Sequence, residues 1–143
     1  PAISIVHVEG DLFFGAAELF RTQIQRTFVD DNLKIIILRL KNARHLDATS
    51  VLALEDLIRC TRKEGRHIII SGATREVYRV LKLSGVLEVL QEGCDRATGE
   101  SNLFLHRPSN PNLATRDSLR RAQHLLGSKE ADIRIFYDPT REA

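Results

Sequence analysis

Two short runs constrain this chain more than anything else in it. Lys34-Ile35-Ile36-Ile37-Leu38-Arg39-Leu40 is almost uninterruptedly apolar, and so is His67-Ile68-Ile69-Ile70-Ser71. A strand with one wet face alternates apolar and polar residues, whereas a continuous β-branched run leaves no face for water. Both runs are therefore predicted as central strands of a sheet covered on both sides. The neighbouring sequence supplies the cover. Ala17, Phe20, Ile24 and Phe28, with Leu19 nearby, recur at helical spacing and predict an amphipathic helix over Ala16–Val29. Leu54, Leu57, Ile58 and Thr61 share one face of a second helix, Thr49–Lys63, with Gly65 as its stop. Val77, Val80, Leu81 and Ser84 mark a third, Arg75–Leu83, entered by a turn at Gly72 and ended by Gly85. Ile3–Val8 reads as the first strand, Gly10-Asp11 as a turn, and Leu12-Phe13-Phe14 as a short returning strand. Val86–Leu90 fits either a last strand or a helix extension.

Strand and helix alternate three times, which is the pattern of an α/β layer sandwich with parallel, right-handed crossovers. The early hairpin would add an antiparallel pair, so a mixed central sheet with helices packed on it is expected. Residues 1–106 form the expected domain. Beyond them, Arg107–Asn112 has linker composition, and residues 107–143 read as a C-terminal extension. It carries a helix at about 113–126, with Leu119, Ala122, Leu125 and Leu126 as its apolar side and Gly127 as its stop. Ile133–Tyr137 is a final strand whose partner the sequence does not name. At 143 residues the chain can bury one core without a disulfide framework. Its two cysteines, Cys60 and Cys94, fit either a single bridge or two reduced thiols. No apolar segment approaches the ~20 residues that span a bilayer. Pro1-Ala2 lacks the basic start of a signal peptide. Methionine is absent, the initiator included, which reads as a piece of something longer or a processed chain.

The charged residues give a net charge of only +2 with no long run of one sign, which argues against nucleic acid as a partner. None of His7, His45, His67, His106 and His124 has a second histidine or cysteine at a zinc-ligand spacing. His45-Leu46-Asp47 offers two ligands where a site needs three or four, so no metal is expected. There is no phosphate-binding loop, and Gly10 and Gly15 read as turn residues. Ser71-Gly72 lacks the glycine frame of a nucleophile elbow. Arg59 and Arg62 beside Cys60 could lower its pKa, but a structural thiol explains it more simply. No nucleophile–base pair emerges, so no catalytic residue is assigned and the chain is not expected to be an enzyme. Seven basic residues between Arg59 and Lys82 (Arg59, Arg62, Lys63, Arg66, Arg75, Arg79, Lys82) face only Glu64 and Glu76. They are expected to form a solvated surface, with an acidic protein or anionic lipid head groups as the alternatives.

One junction stands out: Leu46-Asp47-Ala48-Thr49-Ser50-Val51, between a buried strand and a helix. Asp47 can cap the free amides of that helix, with Ser50 at its third position and Thr49 in the first turn. A hydroxyl there lies near exposed amides and the positive end of the helix dipole, a favourable place for a phosphoryl group. On local sequence alone, helix-start chemistry accounts for all three residues.

In order and spacing the chain resembles the sulfate transporter and anti-sigma factor antagonist (STAS) domain over about Ile3 to His106. The carrying segments are Val8-Glu9-Gly10-Asp11-Leu12-Phe13-Phe14, Lys34–Leu40, His45-Leu46-Asp47-Ala48-Thr49-Ser50, Gly65 before His67–Ser71, and Val80-Leu81-Lys82-Leu83-Ser84-Gly85-Val86. Gly10–Ala16 and Leu46–Thr49 are most similar to the cytoplasmic C-terminal domain of SulP-type anion transporters. The resemblance implies a regulatory and interaction domain that modulates transmembrane transport of sulfate or another inorganic anion. It implies a place at the cytoplasmic face of the plasma (inner) membrane. The expected partners are the transmembrane domain of its own transporter and a cytoplasmic regulatory protein, with oligomers formed through the parent transporter. No cofactor is required, although some family members bind purine nucleotides. The alternative is a stand-alone cytoplasmic anti-sigma factor antagonist, controlling transcription by phosphorylation-dependent partner switching. In antagonists an Asp-Ser-Ser-Gly segment is phosphorylated on its second serine. Thr49 matches that position, and Ser50 stands where antagonists carry glycine. Thr49 and Ser50 are thus the candidate regulatory residues and Asp47 the cap of the regulatory loop.

Overall fold

The computed structural model describes residues 2–8, 16–40, 46–127 and, for the backbone, 133–137. Five strands form one sheet: β1 (Ile3–His7), β2 (Ile35–Arg39), β3 (His67–Ala73), β4 (Leu103–Leu105) and β5 (Ile133–Tyr137). They lie in the order β4-β3-β2-β1-β5, and every pair of them is parallel. The hairpin expected to contribute an antiparallel pair, residues 10–14, falls outside the described residues. β2 and β3 sit inside the sheet, as their composition requires, and Ile35 to Leu38 and Ile68 to Ile70 are all buried.

Alternation along the strands divides the core in two. Val6, Ile36, Leu38, Ile68 and Ile70 face the layer formed by α1 (Ala16–Val29), α2 (Ala48–Lys63), α3 (Arg75–Ser84) and the short α4 (Val86–Leu90). Ile3, Ile5, Ile35, Ile37 and Ile69 face the opposite way, where Ala122 of α5 (Leu113–Leu126) packs on them. The final strand, left without a partner in the sequence reading, pairs along β1 from Ile3↔Ile133 to His7↔Tyr137.

Val86–Leu90, which the sequence left open between a strand and a helix extension, is a helix that follows α3 directly, with Gly85 between them in the left-handed region (φ +84). Other expectations are corrected. Gly72 is not the turn into α3. It lies inside β3 at φ +78, the extra residue of a bulge where Ser71 pairs with Phe104 and Ala73 with Leu105. The strand β4 carries no clear sequence signal at three residues. Phe28 is exposed rather than buried. The buried stripe of α1 runs through Ala16, Leu19, Phe20, Gln23 and Thr27, and the residue after Thr27 points about 100° away from it.

Two of the seven basic residues are internal ties rather than surface charge. Arg66 is buried and donates to the backbone carbonyls of Asp30 and Leu33, closing the exit of α1. Arg62 donates at 2.8 Å to the carbonyls of Leu90 and Glu92, closing the end of α4. Charge-assisted bonds to helix-end carbonyls satisfy acceptors that the helix leaves open.

Leu57 is fully buried, whereas Leu52 on the same helix is 64% exposed. Leu57→Ala should cost about 2–5 kcal/mol in urea denaturation, and Leu52→Ala should stay within about 0.5 kcal/mol.

Candidate functional site

The junction before α2 is built from its cap. Asp47 is extended (φ −75, ψ 170) and its carboxylate accepts the amide of Ser50 at 2.8 Å. Its carbonyl accepts the amide of Val51 at 2.9 Å, the first bond of the helix. The hydroxyl of Ser50 also hydrogen-bonds the Asp47 carboxylate. That bond, and then the Ser50 amide, hold the Asp47 carboxyl below its ordinary value, against a smaller opposing effect of desolvation. Leu46 and Val51 are buried on either side and anchor the turn in the core.

The cap separates residues that the sequence presented together. Ser50 is 2% exposed, and its hydroxyl is engaged by Asp47. Thr49 is exposed, as is Ala48 before it, and Leu52 continues the same outer stripe. Of the two hydroxyls, the one that meets solvent is that of Thr49. The positive end of the dipole of a 16-residue helix lies beside it. His45, the other half of the His45–Asp47 pair, lies outside the described residues.

Other chemistry-bearing groups are used structurally. Both cysteines are free and half-buried. Cys94 Sγ lies 3.5 Å from Gln91 Oε1 and 3.6 Å from Arg121 Nη2. Arg121 also reaches Asn102 Oδ1 at 3.1 Å and Glu100 at 3.4 Å, tying α5 to the loop before β4. A cleft of about 360 Å³ opens beside this tie, with His124 at its edge. No group of three or more potential metal ligands occurs among the described residues. The sequence offers Arg39 only as part of a strand and Ser71 only as a rejected nucleophile, yet both lie near the ends of the two apolar runs in phase with Ile37 and Ile69. The signal was present: a polar residue two positions after a buried one shares its face of the sheet.

The STAS domain family profile matches residues 1–104. No curated protein matches the sequence at a significant level. Among solved structures, the STAS domain of a SulP transporter from Vibrio cholerae superposes with a TM-score of 0.64 at 26% identity, covering 88% of this chain and 84% of that one. A sulfate transporter family protein from Wolinella succinogenes shares the fold, with a TM-score of 0.69 at 24% identity over 89% of each chain. The murine anion transporter Solute Carrier 26 family member A9, in its inward-facing state, gives a TM-score of 0.63 at 25% identity. That similarity covers 86% of this chain and 18% of the murine one.

Because the folded pKa of Asp47 is depressed, its cap stabilises the fold above the ordinary carboxylate pKa and loses that contribution as pH falls through the folded value. Asp47→Ala should therefore lower the urea midpoint at neutral pH. The gap to the unsubstituted protein should hold down to about pH 4 and narrow below it. A gap independent of pH would remove the carboxylate from the cap's energetics.

Proposed function

Since the chain belongs to the STAS domain family, we propose that it is the regulatory and interaction domain of a SulP-type transporter of sulfate or a related inorganic anion. The observation that carries this reading is the similarity to the Vibrio cholerae SulP domain across most of both chains. The murine transporter adds that such a domain can be a small part of a larger membrane protein. Among the described residues no helix is long and apolar enough to cross a membrane. In this reading the domain sits at the cytoplasmic face, beside the transmembrane part that carries the anion. It does not catalyse a reaction; it binds its own membrane part or a regulatory protein and biases transport.

Thr49 is the residue through which that bias is set. A phosphoryl group there would place roughly −1.5 to −2 charge at the start of α2, where the helix dipole favours it. The cap made by Asp47 and Ser50 would remain intact, because neither bond uses Thr49. The fold would tolerate the change, while the outer stripe of Ala48, Thr49 and Leu52 would turn from small and neutral to strongly anionic. A partner docked on that stripe would have to desolvate the new charge or match it with cations.

The test is sulfate uptake by the full-length parent protein in proteoliposomes. Thr49→Glu should change the uptake rate about 5-fold or more, the lower end of ordinary coupling free energies, with the circular dichroism of the domain unchanged. Thr49→Ala should not reproduce the change. Uptake at the unsubstituted rate in both variants would refute the role of Thr49. A soluble parent with no transport, whose Thr49 is phosphorylated by a partner kinase, would favour the antagonist reading instead.

A further inference from the structure

The carboxyl ends of three strands carry polar side chains in one row. His7, Arg39 and Ser71 are register partners across β1, β2 and β3, and Phe104 of β4 continues the row. Each lies two residues beyond an isoleucine of the α5-side core (Ile5, Ile37 and Ile69), so the three polar side chains share that face. Neighbouring strands are about 4.8 Å apart, which brings Arg39 within reach of both neighbours. Ser71 is 1% exposed, and its hydroxyl has no hydrogen-bond partner. Arg39 is half-buried, and among the described residues its guanidinium has neither an ion pair nor a hydrogen bond. His7 is buried and already partnered.

A buried hydroxyl without a partner is rare in folded proteins, and the half-buried Arg39 beside it meets no acid among the described residues. Side by side they lack the same thing, an acceptor with several lone pairs. A small oxyanion supplies it: the planar fork of an arginine takes two oxygens, and a serine hydroxyl can donate to a third contact. The position is also beside the carboxyl ends of the strands, the end of an open parallel sheet at which ligands bind. We propose that Arg39 and Ser71 form a binding site for a small oxyanion at the carboxyl edge of the sheet, on the face covered by α5. This site is separate from Thr49 and does not depend on the transporter reading.

Amide NMR titration of the 143-residue chain tests it, with sulfate as the lead probe and phosphate and formate as further arms. Sulfate should shift the signals around Arg39–Leu40 and Ser71–Ala73 saturably, and sodium chloride at equal ionic strength should not. Phosphate binding alongside sulfate would assign a tetrahedral anion, and formate binding alone would assign a carboxylate. Arg39→Gln should weaken binding about tenfold or more, the loss expected for one charge-assisted contact. Ser71→Ala should weaken binding several-fold while leaving the melting temperature in anion-free buffer unchanged or raised, because its hydroxyl has no bond to lose. This second variant keeps the test decisive if Arg39→Gln folds poorly. The proposal fails if none of the three anions gives saturable shifts there. It fails equally if both variants bind as the unsubstituted chain does, or if the shifts centre on Arg120 and Arg121 beside the α5 cleft.

Discussion

Burial of β2 and β3 on both faces is the constraint from which the rest of the structure follows. Their isoleucines alternate between two cores, one under α1–α4 and one under α5. Neither core is optional, since exposing either face would put a row of isoleucines into water. At roughly 25 cal/mol per Å² of apolar surface, several such side chains outweigh any single polar contact in the molecule. The helical layers are therefore held in place by the sheet, and the ends of the strands are where polar chemistry can gather.

Those ends divide the labour. A buried arginine serves the amino-terminal side of the strands: Arg66 closes the carbonyls leading into β2. At the carboxyl side, α2 starts with an aspartate cap that engages Ser50 and leaves Thr49 outside. A regulatory group placed there can change charge without entering the core. In the proposed reading, this separation between a fixed cap and an exposed hydroxyl lets the domain change charge while staying folded.

Much of this architecture was legible from periodicity. The apolar runs announced the central strands, and the spacing in Ala16–Val29 and Leu54–Thr61 announced α1 and α2. What escaped the sequence was decided by tertiary partners. The burial of Thr27 in place of Phe28 depends on which side of α1 meets α2 and the sheet. Arg62 and Arg66 look like surface charge until the carbonyls they serve, nearly thirty or more residues away, are in place. Gly72 looks like a turn because the bulge it makes exists only against β4, and β4 is too short to declare itself. At the candidate site the cap by Asp47 was readable, because capping is local. The different fates of Thr49 and Ser50 were not, because burial of Ser50 depends on how α2 sits on the core.

In the proposed reading, the start of α2 is the surface through which the domain acts on its partner. Hydrogen exchange measures this directly, by comparing the domain alone with the full-length parent protein. Amides in the first turns of α2, from Ala48 to about Asp56, should exchange more slowly in the parent, while those of β2 and β3 should be equally protected in both. Equal exchange at α2 in the two forms, with new protection appearing on another face of the domain, would contradict the claim.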